Sequence, residues 1–267
     1  MLAVVIAGAG AGALGAMLGI GGGVFLVPFL VAGLHVPIQQ AVGVSLMSVI
    51  ATSSAVAART AGRQLINLRL GMLLEVSTAI GGTIGGFVAA VMSTSAIAWL
   101  FSAVTAAIAV ATLARINRRN VLPETADPGR WGGRFLDEDT GAMVSYRVTR
   151  MPVALSGSFA AGMLSTLLGI GGGTVKVPVL NAWCGVPMRA ASATSAFMIG
   201  VTATSGAVVY FAHGLIVPTL AAAAVLGVQA GTAAGHVLGT ALPVRMLKLL
   251  MALVLIAVSI VMFLETR

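Results

Sequence analysis

Leu18-Gly19-Ile20-Gly21-Gly22-Gly23, followed by Val27-Pro28, returns 150 positions later as Leu168-Gly169-Ile170-Gly171-Gly172-Gly173, followed by Val177-Pro178. Both copies lie inside long apolar runs. Each glycine costs about 1 kcal/mol against alanine in a helix interior, so a cluster of them predicts a break. In a bilayer, unwound backbone survives only where protein or a watery cavity meets its polar groups. A duplicated break in hydrophobic sequence is the pattern of a transporter whose two related halves meet around discontinuous helices.

Composition fixes the class. Of 267 residues, 58% are hydrophobic and 8% charged, with a mean hydropathy of +1.05. A soluble domain carries about 25% charged residues, so this chain cannot clothe a water-facing surface. The apolar runs are continuous, unlike the alternating segments of about 10 residues in a membrane barrel. The expectation is an all-α integral membrane protein with small residues at its helix contacts. Cys184, the single cysteine, excludes an intramolecular disulfide and reads as a small core hydrophobe. The first residues lack the basic stretch of a cleaved signal peptide and read as the start of the first helix.

Ten apolar segments are predicted, at 2–18, 22–34, 38–58, 70–92 and 96–115, then 151–168, 172–183, 189–211, 216–238 and 244–264. This gives a first transmembrane repeat over 1–115, a cytoplasmic loop over 116–150 and a second repeat over 151–267. About 8–10 of the segments are membrane segments. Those beginning at Gly22 and Gly172 are short for a straight crossing, which needs roughly 20 residues. Each is a half-helix, a re-entrant piece or a tilted span.

Charge gives the orientation. The stretch from Arg115 to Arg150 holds seven of the 15 basic residues. If the short segments cross, the cytoplasm also receives Arg59, Arg63, Arg69, Arg189, Arg245 and Lys248, as the positive-inside rule asks. Five passes per half then make the repeats inverted, with both termini outside. If the short segments dip and return, Arg189, Arg245 and Lys248 fall outside instead. Basic loops bordering apolar spans also dispose of the nucleic-acid reading that a net charge of +8 invites. Within the central loop, residues 134–136 and 144–148 alternate around Asp137-Glu138-Asp139-Thr140-Gly141, predicting a small hairpin. Its acidic trio lacks the spacing of a calcium loop.

The candidate site grows from the breaks. Gly19, Gly21, Gly22 and Gly23, with Gly169, Gly171, Gly172 and Gly173, could turn backbone N–H groups toward one anion, a geometry known as a nest. The following helix N-termini add positive dipole character. Hydroxyls recur at matching offsets: Ser45 corresponds to Ser195, Val44 to Thr194, Thr52 to Thr202 and Ser54 to Thr204. Of these, Ser45, Ser195 and Thr194 are the candidate neutral donors to an anionic substrate. Lys176 stands where the first half has Leu26, and an intramembrane lysine is a functional hypothesis by default. Asn181, matching Val31, is a weaker candidate donor. Glu75 is the one carboxylate within a predicted span. It is a candidate carrier of a coupling proton, or a plain ion-pair partner near the basic end marked by Arg69. His35 and His213 sit near loop edges and, with His236, are possible proton carriers. No motif of a metalloprotease, serine hydrolase or P-loop NTPase occurs, and no cofactor is expected. Energy must then come from a coupling ion, H+ or Na+, or from the substrate's own gradient.

At these residues the chain resembles the TauE/SafE family, also called the sulfite exporter or 4-toluene sulfonate uptake permease family. The resemblance rests on G-x-G-G-G-x-x-x-V-P at Gly19–Pro28 and Gly169–Pro178, on the small-residue element Ala191–Ser195, and on Tyr210-x-x-x-Gly214. It also rests on the pairing of Gly82-Thr83-x-x-Gly86 with Gly231-Thr232-x-x-Gly235. Val44 departs from the pattern, which leaves the first-half hydroxyl site less complete. The resemblance implies secondary transport of sulfite, sulfonates or other organosulfur anions across a prokaryotic inner membrane, in either direction. A passive anion channel is the alternative, and a non-transporting membrane scaffold a more distant one.

Overall fold

The computed structural model describes residues 1–18, 21–60, 65–114, 127–136, 141–241 and 244–264. Ten helices fall among them: α1 (Leu2–Leu18), α2 (Gly23–Pro28), α3 (Ile38–Thr60), α4 (Leu68–Val91), α5 (Thr94–Ala114), α6 (Met151–Leu168), α7 (Gly173–Ala182), α8 (Met188–Ala212), α9 (Pro218–Ala241) and α10 (Val244–Leu264). Between α5 and α6, β1 (Gly133–Leu136) and β2 (Met143–Tyr146) pair antiparallel, with Phe135 opposite Val144. The expected hairpin is therefore present; the acidic trio Asp137–Asp139 lies outside the described residues.

Five of the described helices are long and apolar enough to cross a membrane: α3, α4, α5, α6 and α8. α4 leaves Met72, Val76, Ile80, Phe87 and Val91 exposed. A soluble protein rarely tolerates so continuous an apolar stripe. Facing lipid, it is the matched surface.

Both predicted breaks are real. α6 ends at Gly169, whose φ of +67° is the left-handed conformation that closes helices without a Cβ penalty, and Gly171 follows at +72°. Gly21 takes the same conformation at +69° before α2 begins. Pro28 ends regular α geometry in α2, and the chain continues as a wide π-helical turn over Phe29–Gly33. Pro178 sits inside α7 without such a change.

Helix pairing is reciprocal between the halves. α1 packs on α9 and α4 on α6, while α3 meets α8 and α5 meets α10. The close pairs run parallel and join backbone to backbone. A methyl group on Gly231 would strike the Ala9 carbonyl, and one on Gly81 the Phe159 carbonyl. Gly235 likewise faces Ala13, and Gly85 faces Met163. Small residues supply the contact area that lipid-immersed helices need, since no hydrophobic drive separates helix from tail. This packing sets the register between the halves. Gly81 and Gly85 are the counterparts of Gly231 and Gly235, one residue earlier than the Gly82/Gly231 match of the repeated G-T-x-x-G motif. Sequence similarity alone slid that match by one, because glycines are adjacent at 81–82 and 85–86.

The hairpin is fastened to the helix ends. Asn67 caps α4 by accepting the Leu70 N–H, while its Nδ2 donates to the Trp131 carbonyl at 2.8 Å and to the Tyr146 hydroxyl at 3.2 Å. Burial pushes the Tyr146 phenol above its usual range, and the Asn67 hydrogen bond opposes this. Thr149 N–H donates to the Cys184 carbonyl, in the turn after α7. α7 thus returns the chain to the face that carries the hairpin and the start of α4. Cys184 is buried, and that burial pushes its thiol up to about 11, in keeping with a core residue.

Candidate functional site

The two breaks meet. The Ser45 hydroxyl of α3 donates to the Gly169 carbonyl at 2.6 Å, and a methyl on Gly23 would collide with that same carbonyl oxygen. Gly21 lies against Val49 of α3 and Ile199 of α8, the helix pair that crosses between the halves. Beside it a cavity with room for about one water molecule is lined by Gly15, Gly21, Thr52, Ser53, Ala196 and Ile199. The Ser53 hydroxyl is wedged into α8 there. It donates to the Ala196 carbonyl at 2.6 Å and accepts the Gly200 N–H at 3.0 Å, two groups that would otherwise bond each other in the helix.

Unwinding leaves backbone carbonyls without helical partners, and hydroxyls take them up. Ser45 serves Gly169, and Thr174 Oγ1 donates to the Gly171 carbonyl at 3.0 Å. Ser45 therefore spends its only hydrogen on the break itself. Its counterpart Ser195 is buried with no hydrogen-bond partner among the described residues, as is Ser165 on α6. A buried hydroxyl without a partner is costly, so each marks a place where a further acceptor or donor would be welcome.

The two breaks are not equally tight. A methyl on Gly22 would come within 2.6 Å of the Ala11 carbonyl oxygen, whereas one on Gly172 would meet nothing closer than Lys176 Cε at 3.5 Å. Space at the second break is filled by the lysine stem. Lys176 is 1% exposed, and its Nζ lies 3.2 Å from Glu75 Oε2 and 3.3 Å from Thr202 Oγ1. Thr202 in turn donates to Glu75 Oε1 at 2.7 Å. The result is a closed triangle of ammonium, carboxylate and hydroxyl drawn from α7, α4 and α8. Lys176 does not reach toward an interface. Glu75 pairs with it rather than with Arg69, which donates to the Arg130 carbonyl.

Other candidates lie elsewhere. Thr194 Oγ1 accepts the Asn67 N–H at 3.0 Å, tying α8 to the start of α4. Asn181 Nδ2 donates to the Val186 carbonyl at 2.9 Å and shapes the turn after α7. Gly173 opens α7 and is buried. Gly19 lies outside the described residues, as does the side chain of His236. His35 and His213 are exposed at helix ends. Thr202 and Ser165 were not among the predicted site residues. Thr202 carried a signal, the recurrence of Thr52 at the same offset; Ser165 carried none, since Gly15 stands in its place.

The family model described as Sulfite exporter TauE/SafE matches residues 4–262. The chain belongs to the TauE/SafE family. It is a membrane transporter. It is also similar to the "Probable membrane transporter protein YunE" of Bacillus subtilis (strain 168), with 26% identity over 262 residues, 96% of this chain and 94% of that protein. No solved structure matches it. Within this TauE/SafE chain, the glycine motif that signals membership is the part that builds the meeting of the breaks.

Proposed function

We propose that this chain carries a small sulfur-containing anion, such as sulfite, a sulfonate or another organosulfur anion, across the inner membrane by alternating access. The observation that carries the reading is the junction of the breaks, where Ser45 and Gly23 of one half close on the Gly169 carbonyl of the other. Non-helical backbone at such a place is the recurrent feature of transporter binding sites. Lys176 and Ser165 lie against Gly172 of the second break, and the Ser165 and Ser195 hydroxyls are buried with no partner among the described residues, donors suited to an oxyanion.

Residues 1–115 and 151–267 act in this reading as inverted halves that rock about the junction. Parallel packing of α1 with α9 and of α4 with α6 is what inverted halves produce. The face bearing the hairpin, Arg69 and Arg189 is assigned to the cytoplasm by its charge, with both termini outside.

Proteoliposomes loaded with a pH or sodium gradient and offered labelled sulfite, taurine or an arylsulfonate test the proposal. Accumulation above the outside concentration, lost in Lys176→Leu, is the expected result. Equilibration without accumulation under either gradient refutes alternating access in favour of a passive pore.

A further inference from the structure

We propose that the Glu75 carboxylate is an internal stand-in for the substrate, and that binding exchanges it for the incoming anion with uptake of one proton. This rests on the anion-transport reading above and specifies how its site works.

The geometry supplies the exchange. Lys176 Nζ and Thr202 Oγ1 are two donors converging on one carboxylate, at 3.2 Å and 2.7 Å. A sulfonate or bisulfite group likewise presents two or more acceptor oxygens on a single negative charge. The Lys176 Cε, next to its ammonium, lies 3.5 Å from where a methyl on Gly172 would sit, so the same side chain belongs to the second break and to the triangle. Ser165, buried and without a hydrogen-bond partner among the described residues, stands beside Gly172 and can add a hydroxyl that the carboxylate does not use.

Charge accounting fixes the stoichiometry. With Glu75 on Lys176 the triangle is neutral. A monoanion that takes the ammonium leaves a second negative charge in the same buried place, which low-dielectric surroundings penalise heavily. Protonation of the displaced Glu75 restores neutrality. One proton enters with each monoanion, and a dianion such as sulfate leaves the pocket charged and is rejected. Among the described residues, no other group on the helices packed around the triangle can take over this part. α5 and α6 carry no titratable residue and α7 none besides Lys176; α4 adds only Arg69 to Glu75, α8 only Arg189 and Tyr210, and α3 only Arg59. Arg69 is engaged with Arg130, and Tyr210 has no hydrogen-bond partner among the described residues.

The test uses purified full-length protein in detergent, in weakly buffered solution, with benzenesulfonate as probe. Sulfonates stay ionised across the working pH range, so any proton taken up belongs to the protein. The wild type is expected to absorb about one proton per bound sulfonate, and its affinity to weaken about tenfold per pH unit as pH rises through the range of one-proton uptake. Glu75→Gln should bind with a flat pH profile and no proton uptake. Sulfate should compete at least tenfold more weakly than the sulfonate. Binding by the wild type with no proton uptake overturns the exchange while leaving the transport reading intact. No binding of sulfonate, sulfite or taurine by the wild type overturns both. The wild-type proton count needs no mutant, so the test stands even if Glu75→Gln fails to fold.

Discussion

Removing either member of the Lys176–Glu75 pair should destabilise the protein, and removing both should restore most of the loss. The partners sit 3.2 Å apart, which by Coulomb's law at an effective dielectric of about 20 is an attraction of about 5 kcal/mol. Desolvation of both charges offsets much of this, so the net worth of the pair is small. Stranding one charge is different, and costs about 3–5 kcal/mol. The counterparts in the other half suggest the replacements: Leu26 stands opposite Lys176, and Val225 opposite Glu75 in the register set by Gly81 and Gly231. Glu75→Val leaves a fully buried ammonium, whereas Lys176→Leu leaves a carboxylate whose side chain is 13% accessible and still bonded to Thr202. Glu75→Val should therefore be the worse single change. For a chain of this size each kcal/mol is about 2–4 °C, giving a fall of about 6–20 °C for it. In the double variant Thr202 can turn back to the Met198 carbonyl, as Thr52 already does to that of Ser48. Stability should then return to within about 1 kcal/mol of wild type, as paired apolar replacement does elsewhere. Thermal unfolding followed by tryptophan fluorescence in one detergent, arranged as a double-mutant cycle, measures the coupling. Additive losses, with a coupling energy near zero, would show that the two charges do not depend on each other.

Gly23→Ala drives a methyl into the Gly169 carbonyl and the Ser45 hydroxyl, and should cost about 1–3 kcal/mol in the same unfolding assay. Gly172→Ala meets only ordinary contacts and should unfold within a few °C of wild type while losing anion flux in proteoliposomes; wild-type flux would remove Gly172 from the site. Asn67→Ala loses the α4 cap and the anchors to Trp131 and Tyr146, so it should cost about 1 kcal/mol and speed proteolytic cleavage in the hairpin, read by gel. Tyr146 holds its proton more tightly folded than unfolded, so its contribution is complete below pH 10 and falls away as pH rises past the unfolded value. Tyr146→Phe should flatten the stability loss that sets in as pH rises above 10; an unchanged profile would place that loss elsewhere.

The glycine breaks were legible because composition and position agree: no helix interior holds Gly21, Gly22 and Gly23 comfortably in lipid, and two copies leave little room for accident. Lys176 was legible as a departure from Leu26. Its partner was not, because Glu75 lies 101 residues away in the other half, and proximity drew attention to Arg69 instead. Six residues along a helix turn the two side chains about 240° apart, so Arg69 and Glu75 face different surroundings. Thr194 and Asn181 looked like free donors for a related reason. A polar side chain near a helix end is commonly drawn to neighbouring backbone, and only the folded path shows that Asn67 and Val186 are those neighbours.

What the repeat conceals is the asymmetry that matters most. Backbone contacts match residue for residue between the halves, as in Gly81 on Phe159 and Gly231 on Ala9, so the frame is the same on both sides. The filling is not. At the first break the backbone of Gly15 abuts that of Gly22, and Leu26 is a buried apolar residue. At the second, Ser165 replaces Gly15 and Lys176 replaces Leu26, bringing a hydroxyl and a charge into space the first half fills with main chain. A frame of equal halves gives two comparable packings between which a transporter can rock. Placing the ammonium in one half and its carboxylate in the other makes the electrostatic term depend on how the halves sit. The pair is formed across α4 and α7, so any motion that separates them must first satisfy both charges. In the proposed cycle an anion and a proton do so together, and neither alone suffices.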